Sequence, residues 1–170
     1  MDLIVQRIGG GWEASYDGKT WRAGVGYNGI QRDKAEGDGV SPAGCWPIRR
    51  VLYRADKLGA PPHSVFTTAA IDPQDGWCDA PEHPDYNRPV RLPFAASREE
   101  LWRQDDRYDI VVVLGHNDNP IIPGGGSAIF LHVASPGYGS TAGCASMTHD
   151  DLLEFLVMAA PGTRLCFQGE

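Results

Sequence analysis

Residues 127–144 read Ser127-Ala-Ile-Phe-Leu-His132, then Val133-Ala-Ser-Pro-Gly-Tyr-Gly-Ser140, then Thr141-Ala-Gly-Cys144. The first run is short and almost wholly apolar, which predicts a buried β-strand that ends at a histidine. The second run is rich in Gly, Pro and Ser, which predicts a loop. The third run places a cysteine directly after a glycine. A histidine and a cysteine thus lie on neighbouring elements, from which a base and a nucleophile can be assembled.

The chemistry of a thiol explains why the histidine matters. A thiol with the ordinary pKa of about 8.5 is mostly protonated at neutral pH, so it needs a base or a positive charge beside it. His132 is the nearest histidine before Cys144, and we expect it within hydrogen-bond reach of the sulfur. The backbone N–H groups of Gly143 and Cys144 are candidates for an oxyanion hole. Spacing alone favours a simpler interpretation, in which Cys144 is a small buried hydrophobe and His132 a core histidine.

The rest of the sequence is typical of a mainly β protein. Its 21 glycines and 13 prolines are scattered, which favours short elements joined by tight turns. Asp17-Gly18 lies between two alternating segments and predicts a hairpin. Strands are expected at residues 47–53, 108–114 and 163–168. Residues 32–44 have few apolar side chains and are predicted to form a loop.

Two helices are expected. Ser97-Arg-Glu-Glu100 has the spacing of a capping box and predicts a short helix that runs to about Gln104. Thr148-His-Asp-Asp151 has the same form ahead of an apolar run, and it predicts a longer helix that ends at Pro161-Gly162. Residues 72–91 contain four prolines and several aromatic side chains, which predicts a long ordered loop beside a site.

Composition limits the kinds of partner. The 170 residues, 42% of them hydrophobic, are predicted to form one domain over residues 1–170. The 15 Lys and Arg against 22 Asp and Glu give a formal charge of -7, which disfavours a nucleic-acid partner. No apolar run approaches the roughly 18 residues that span a bilayer, so no membrane span is expected and a soluble protein is predicted. Residues 1–11 lack the basic stretch and apolar core of a secretory signal.

The four cysteines are Cys45, Cys78, Cys144 and Cys166, with no CxxC pair and no regular spacing. We therefore predict neither a disulfide framework nor a zinc site, and the pairing of Cys45, Cys78 or Cys166 stays open. Cys78 is a weak rival nucleophile, because an acidic neighbour, Asp79, would raise the pKa of its thiol.

Separated motifs resemble those of the L,D-transpeptidases of the YkuD type. Thr141-Ala-Gly-Cys144 is similar to the Ser/Thr-His-Gly-Cys active-site motif of that family, and Phe130-Leu-His132 resembles the strand with its catalytic histidine. Lys34-Ala-Glu-Gly-Asp-Gly-Val-Ser-Pro-Ala-Gly44 is similar to the Gly-Asp-x-x-Thr-Pro-x-Gly loop that precedes the site. Pro161-Gly-Thr163 resembles the pattern before the family's last strand. The resemblance covers roughly residues 30–170.

This resemblance implies a mainly β, YkuD-like sandwich with two short helices. It implies an enzyme that joins peptidoglycan stem peptides, donor and acceptor, through a thioester on Cys144, with His132 as acid and base and Gly143 in the oxyanion hole. It requires no metal or organic cofactor. Carbapenem β-lactams are expected as covalent inhibitors, and the substrate implies the periplasm or cell envelope. The alternatives are an L,D-carboxypeptidase or endopeptidase, a non-catalytic wall-binding module, and a redox-sensing thiol protein.

The sequence departs from the family pattern at three points. Ala142 stands where the motif has histidine, and Ser146 stands where Arg or Asn is usual. Twelve positions separate His132 from Cys144, which is fewer than in most relatives. The departures leave the nucleophile and the base in place but remove polar groups that line the clefts of relatives.

Three further segments resemble a compact Gram-negative branch of the family. They are Gly76-Trp-Cys-Asp79, Asp85-Tyr-Asn-Arg88 and Gly126-Ser-Ala-Ile-Phe-Leu-His132. That branch is associated with 1→3 cross-links between L-alanine and diaminopimelate, whereas relatives more often make 3→3 cross-links. The resemblance therefore favours the 1→3 type.

Six residues are predicted to contact substrate: Trp77, Tyr86, Arg88, His116, Ser140 and Thr141. Arg88 suits a carboxylate of diaminopimelate or D-alanine, because a guanidinium can bind it with two parallel hydrogen bonds. An aromatic loop that only packs on the sheet would explain Trp77 and Tyr86 equally well. His116 could instead cap its own loop.

Overall fold

Fourteen short strands and two α-helices make up the fold in the computed structural model, which describes residues 1–169. The strands are Leu3–Ile8 (β1), Gly11–Tyr16 (β2), Lys19–Ala23 (β3), Ile30–Gln31 (β4), Ser41–Pro42 (β5), Gly44–Tyr53 (β6), Thr68–Ala70 (β7), Asp75–Cys78 (β8), Pro89–Arg91 (β9), Arg98–Glu100 (β10), Ile110–Leu114 (β11), Phe130–Val133 (β12), Ala145–Met147 (β13) and Arg164–Gln168 (β14). The helices are Ala55–Leu58 (α1) and His149–Met158 (α2), with a 3-10 turn at Pro136–Tyr138. Neither helix within residues 1–169 is long and apolar enough to cross a membrane.

Nine strands form one large sheet, in the order β13-β12-β11-β6-β14-β1-β2-β3 with β7 beside β6. The hairpin between β2 and β3 turns at Asp17 and Gly18, which both have positive φ, and this confirms the predicted turn. At the far edges, Gly24 after β3 exchanges two backbone hydrogen bonds of 2.8 and 3.0 Å with Ser146 in β13. The sheet is therefore almost closed, and it closes beside the strand that follows Cys144.

The two faces of the β11–β12–β13 region enter different cores. All five residues of β11 are buried, as a continuous apolar run requires when a strand is covered on both sides. On one face Leu131 and Met147 join the main core. On the other face Phe130 and Cys144 join a second, smaller core. The candidate nucleophile therefore lies on the side of the sheet away from the main core.

Helix α2 begins where it is predicted to begin. The Thr148 hydroxyl accepts a hydrogen bond from the Asp151 N–H at 3.3 Å, which caps the first turn. Leu152, Phe155 and Leu156 recur at helical spacing and are fully buried in the main core. The predicted start is confirmed, but the helix ends at Met158, before the predicted end at Pro161-Gly162.

A small sheet covers the second core, and we call its segment, residues 72–104, the flap. Strands β8, β9 and β10 pair in the order β10-β8-β9. The ring of Trp77 packs edge-on against Phe130, with centroids 5.1 Å apart, and Leu101 is buried in the same core. No helix forms in residues 72–91, as predicted, but the predicted loop contains strands β8 and β9.

The helix predicted from Ser97 to about Gln104 is wrong. Residues Arg98–Glu100 form β10, which pairs antiparallel with β8 so that Glu99 lies opposite Trp77. This pairing uses the backbone groups that a helix would have paired internally, so tertiary contacts override the local capping signal. The other α-helix is α1, which the sequence did not indicate.

A disulfide joins Cys45 in β6 to Cys166 in β14. The two strands are antiparallel neighbours, and their register places these residues opposite each other. The sequence indicates no disulfide framework and leaves the pairing of Cys45, Cys78 and Cys166 open, and the structure pairs Cys45 with Cys166. Cysteine spacing cannot reveal a pair 121 positions apart that only the sheet register brings together.

Candidate active site

Cys144 lies just before β13 and opposite Phe130 of β12. The parallel register pairs Leu131 with Ala145, so Phe130 and Cys144 match one position earlier. The sulfur accepts a hydrogen bond from Phe130 N–H at 3.4 Å and donates one to the Ala128 carbonyl at 3.2 Å. Ala128 has a φ of 52°, which is uncommon for a residue with a side chain. The backbone around β12 thus holds the thiol in place.

His132 lies on the same face of β12 as Phe130, because residues two positions apart in a strand point to the same side. The register places it one diagonal step from Cys144. Its ring packs edge-on against that of Tyr108, with centroids 5.4 Å apart. Its neighbour Val133 enters the main core on the other face. Side chains therefore alternate between the two faces of the sheet along this strand.

The hydrogen bond of the His132 ring defines which nitrogen can act as a base. Nδ1 lies 2.9 Å from the carbonyl oxygen of Val133. A carbonyl oxygen can only accept, so the contact assigns the proton to Nδ1 and a lone pair to Nε2. The ring is therefore a neutral imidazole that can take a proton on Nε2.

Burial keeps both groups uncharged at rest. Desolvation of the fully buried ring lowers the pKa of His132 to about 4. Desolvation, with a smaller contribution from the carboxylate of Glu99, raises the pKa of Cys144 to about 12. At neutral pH the pair is therefore a thiol beside a neutral imidazole, and not a preformed ion pair. Loss of the thiol proton has to accompany the attack on a substrate.

The predicted hydrogen bond between the two side chains is not formed. Within residues 1–169, the sulfur of Cys144 bonds to the Phe130 N–H and the Ala128 carbonyl and not to His132. The physical reason is the register, because diagonal neighbours in a sheet have Cα atoms about 7–8 Å apart. Contact with Nε2 requires the thiol to rotate away from Ala128.

Thr141 and Gly143 shape the turn before the nucleophile. The Thr141 hydroxyl donates to the Cys144 carbonyl at 2.7 Å and accepts from the Gly143 N–H at 3.1 Å. The Ser41 hydroxyl donates to the Gly143 carbonyl at 2.7 Å. A side chain at Gly143, where φ is 145°, would lie 2.8 Å from the carbonyl oxygen of Val40, so the position requires glycine. The hydroxyl of Thr141 is thus occupied within the loop.

A cavity of about 340 Å³ opens beside Phe130 at the flap. Trp77 and Arg88, both predicted to contact substrate, line it together with Arg49 and Arg50 of β6. Guanidinium groups suit carboxylates. The fold therefore places two of the predicted residues at one concave surface.

The remaining predicted contacts have other surroundings. Ser140 is exposed on the loop before the nucleophile. Tyr86 is buried and its hydroxyl donates to Glu36 at 2.9 Å; burial, and then Glu36, raises the pKa of Tyr86 to about 12. His116 is also buried, and desolvation, with the nearby charge of Lys34, lowers its pKa to about 4. Tyr86 and His116 support the walls around the site.

Two charged residues near the sulfur were missed by the sequence reasoning. Glu99 of β10 accepts a hydrogen bond from the Tyr108 hydroxyl at 2.7 Å, and burial raises the pKa of its carboxyl group. Lys34 lies in the loop before β5, and its side chain is only 5% exposed. Glu99 raises the pKa of Cys144, whereas Lys34 lowers it. Lys34 falls in a quoted motif, but nothing in its spacing indicates burial beside the cysteine.

Cys78, the rival nucleophile, lies in β8 of the flap. It is fully buried, and desolvation, with the charge of Asp79 acting in the same direction, raises the pKa of its thiol. Cys144 is the free cysteine that the register places next to the strand of His132.

Comparison with known proteins gives one match. A family model described as YkuD, the L,D-transpeptidase catalytic domain, matches residues 11–165. No curated protein and no solved structure matches the chain.

Proposed function

The chain belongs to the YkuD family of L,D-transpeptidase catalytic domains, and from this membership we propose that it cross-links peptidoglycan stem peptides through a thioester on Cys144. The observation that carries the proposal is the position of Cys144 and His132 on one face of two neighbouring strands. Residues 1–170 are proposed to work as one catalytic domain, and the chemistry needs no metal or organic cofactor.

The first half-reaction is acylation of the thiol by a donor stem peptide. The thiol rotates from the Ala128 carbonyl and its proton passes to Nε2 of His132. The sulfur attacks the carbonyl carbon of the peptide bond between an L-centre and a D-centre, and an S–C bond forms. The C–N bond then breaks as His132 returns the proton to the leaving amine. A thioester on Cys144 remains.

The second half-reaction transfers the acyl group to an acceptor amine. The amine loses a proton to His132 and attacks the thioester carbon, forming the new C–N bond. The S–C bond breaks, and His132 reprotonates the departing thiolate. Water in place of the amine would give hydrolysis by the same route.

Both half-reactions place a negative charge on the substrate oxygen. Donors next to the sulfur would stabilise that oxyanion. The Gly143 N–H already donates to the Thr141 hydroxyl in the free protein. The Cys144 N–H is therefore proposed as the main oxyanion donor. The Gly143 N–H can join it only if its hydrogen bond to Thr141 breaks. Arg88, with Arg49 and Arg50 in the same cavity, is proposed to bind a substrate carboxylate.

The cross-link is proposed to be of the 1→3 type, between L-alanine and diaminopimelate. The support is the resemblance of the flap and of the β12 segment to the compact branch, together with two departures from the common motif. Ala142 is exposed and leaves room where most relatives carry an imidazole. Ser146 is buried opposite His132 in the β12–β13 pair, where a larger polar residue is usual.

The protein is proposed to act in the cell envelope, where peptidoglycan lies. The disulfide between Cys45 and Cys166 supports this location, because disulfides persist in oxidising compartments and are rare in the cytosol.

The proposal is tested by incubating the protein with purified disaccharide-tetrapeptide and disaccharide-pentapeptide muropeptides and identifying the products by mass and fragmentation. We expect cross-linked dimers, and we expect Cys144→Ala to form none, because no other group can carry the acyl chain. The matched control is Cys78→Ala, which removes the other free thiol and should keep activity. A carbapenem should add covalently to the parent and to Cys78→Ala but not to Cys144→Ala.

The products separate the alternatives. Shortened monomers without dimers would identify a hydrolase, and fragmentation of a dimer distinguishes 1→3 from 3→3 links. Turnover by Cys144→Ala, or no product and no carbapenem adduct with the parent protein, would refute the proposed chemistry.

A further inference from the structure

Lys34 is a buried cation beside the nucleophile loop. Its side chain is only 5% exposed, and its Nζ would lie 3.5 Å from a Cβ atom built on Gly143. Its methylene groups lie 3.1 Å from the Cβ position of Gly126, so the chain is tightly enclosed. The ammonium group of Lys34 therefore lies next to Gly143, the residue that precedes Cys144.

The environment of Lys34 leaves its charge only partly compensated. The ammonium donates to Asp38 Oδ1 at 2.5 Å and to the Ala35 carbonyl at 3.0 Å. An ammonium has three N–H donors, so these bonds use two. Asp38 is itself 24% exposed, and water therefore screens the anion more than the buried cation. Burial of a lysine is costly unless it is paired and hydrogen-bonded, and Asp38 and the Ala35 carbonyl supply that pairing here.

Loop structure alone does not account for the cation. The Asp38 carboxylate already accepts from the Ala35 and Val40 N–H groups at 2.7 and 3.0 Å, so Asp38 organises the loop without the lysine. The Lys34 side chain is only 5% exposed, so protein encloses the ammonium and its charge acts on the site through the protein.

We propose that Lys34 is an electrostatic positioning residue whose fixed positive charge behind Gly143 stabilises the Cys144 thiolate and the oxyanion of acyl transfer. The part that concerns the oxyanion rests on the proposed function. The part that concerns the thiolate does not, since it can be measured without a peptide substrate. The resting His132 is neutral, so Lys34 is the cation that offsets the burial of a developing thiolate.

Several titratable groups face Cys144 or Lys34, and their charges affect the thiol pKa that the test measures. Cys144 is faced by Lys34 from the loop, by Glu99 from β10, by Tyr108 before β11 and by His132 from β12. Lys34 is faced by Asp38 and by His116. A neutral His116 adds no charge near pH 8, and Glu99 is unchanged in every variant of this alkylation test.

The test is the pH dependence of iodoacetamide alkylation of Cys144, measured by mass spectrometry between pH 7 and pH 10. All variants carry Cys78→Ala, so that one free thiol remains. Lys34→Met keeps the shape of the chain and removes the charge, and we expect alkylation at pH 8 to slow about tenfold, the effect of one unit in the thiol pKa. Asp38→Asn removes the compensating anion, and we expect alkylation at least as fast as in the parent.

The opposite effects expected of Lys34→Met and Asp38→Asn on the alkylation rate distinguish an electrostatic effect of the Lys34 charge from a purely structural role of the Lys34–Asp38 pair. If the Lys34–Asp38 pair only held the loop, both variants would change the rate in the same direction, and equal slowing would overturn the inference. A Lys34→Met rate within twofold of the parent would overturn it as well. Lys19→Met, which removes a surface ammonium paired with Glu154, is the matched control and should leave the rate unchanged.

Folding and function are kept apart by two further readouts. Urea unfolding reports whether each variant is folded, and if Lys34→Met fails to fold, faster alkylation of Asp38→Asn is then required for the inference to stand. A Lys34 effect on alkylation in a protein without muropeptide turnover would support the inference while refuting the proposed function. Normal muropeptide turnover, together with no effect of Lys34→Met on alkylation, would support the proposed function and refute the inference.

Discussion

At the scale of single residues, the proposed catalytic pair, Cys144 and His132, is uncharged at neutral pH in the free protein. A thiol whose pKa is raised to about 12 and an imidazole whose pKa is lowered to about 4 cannot form an ion pair at pH 7. Because the thiolate form of Cys144 is scarce at neutral pH, general thiol reagents should react with it slowly, and proton transfer to His132 is needed for a fast attack on a substrate. His132 has to be a general base in this scheme and not a counter-ion.

The fall of kcat/KM at low pH should follow the protonation of His132. Protonated His132 cannot accept the thiol proton, so we expect kcat/KM for muropeptide to be flat from pH 8 to about pH 5 and to fall as the pH passes through about 4. His132→Gln keeps the size of the side chain and should lower kcat by about 10²–10⁴. His149→Gln, on the half-exposed first turn of α2, should keep activity.

Acid unfolding has to be excluded in the same experiment. Since the folded pKa of His132 lies below the ordinary value of 6.5, protonation favours the unfolded state, and stability falls as the pH drops from 6.5 through 4. Near-ultraviolet circular dichroism at each pH separates the two effects. An acid limb near pH 6.5 in a folded protein would show that His132 is not the buried base described above.

At the scale of elements, one hydrogen bond between the flap and the sheet lies next to the His132 ring. The Tyr108 hydroxyl, just before β11, donates to the Glu99 carboxylate of β10 at 2.7 Å, and the Tyr108 ring also contacts those of His132 and Phe130. Glu99 would otherwise be a buried carboxylate without a partner. The bond therefore couples the cover of the second core to the strand that carries the base.

A double-mutant cycle measures that coupling. Tyr108→Phe keeps the ring but leaves the Glu99 carboxylate unpaired, so we expect it to lower the free energy of unfolding by about 1–3 kcal/mol. In a Glu99→Gln background the same change should cost less, with a coupling energy of at least about 1 kcal/mol. Urea unfolding at pH 7 gives all four values, and additive effects of the two changes would contradict a fastening role.

The sequence predicted those elements that form because of preferences within a few neighbouring residues. The Asp17-Gly18 hairpin and helix α2 follow from backbone preference and apolar spacing within a few residues, and both were predicted. The strand at residues 98–100 is made by pairing with β8, and the burial of Lys34 by the folding of its loop against Gly143. Neither cause leaves a short-range signal. Cys144 and His132 can be named as candidates because strand, loop and motif are adjacent in the chain, whereas the contacts of their side chains depend on the sheet register.

For the whole molecule, the sheet joins the two ends of the chain. The last strand, β14, lies between β1 and β6, and β6 continues through β11 to β12, which carries His132. The disulfide between Cys45 and Cys166 closes a loop of 121 positions across this junction. Cys45 and Cys166 are separated from Cys144 by β11 and β12, so the crosslink can support the sheet without contact with the site.

The disulfide should therefore contribute to stability and not to reactivity. A crosslink limits the unfolded chain, and one that spans a long loop typically stabilises by about 2–4 kcal/mol. We expect Cys45→Ala combined with Cys166→Ala to lower the free energy of unfolding by that amount, while the rate of Cys144 alkylation stays within twofold of the parent. Thiol titration of the denatured parent should find two free thiols before reduction and four after it, in agreement with free Cys78 and Cys144. Cys78→Ala is the control for removing a cysteine, because Cys78 is buried but unpaired. Four free thiols without reduction, or an unchanged unfolding midpoint in the double variant, would show that the bond does not stabilise the sheet, and a large loss of alkylation would show that the strands transmit its removal to the nucleophile.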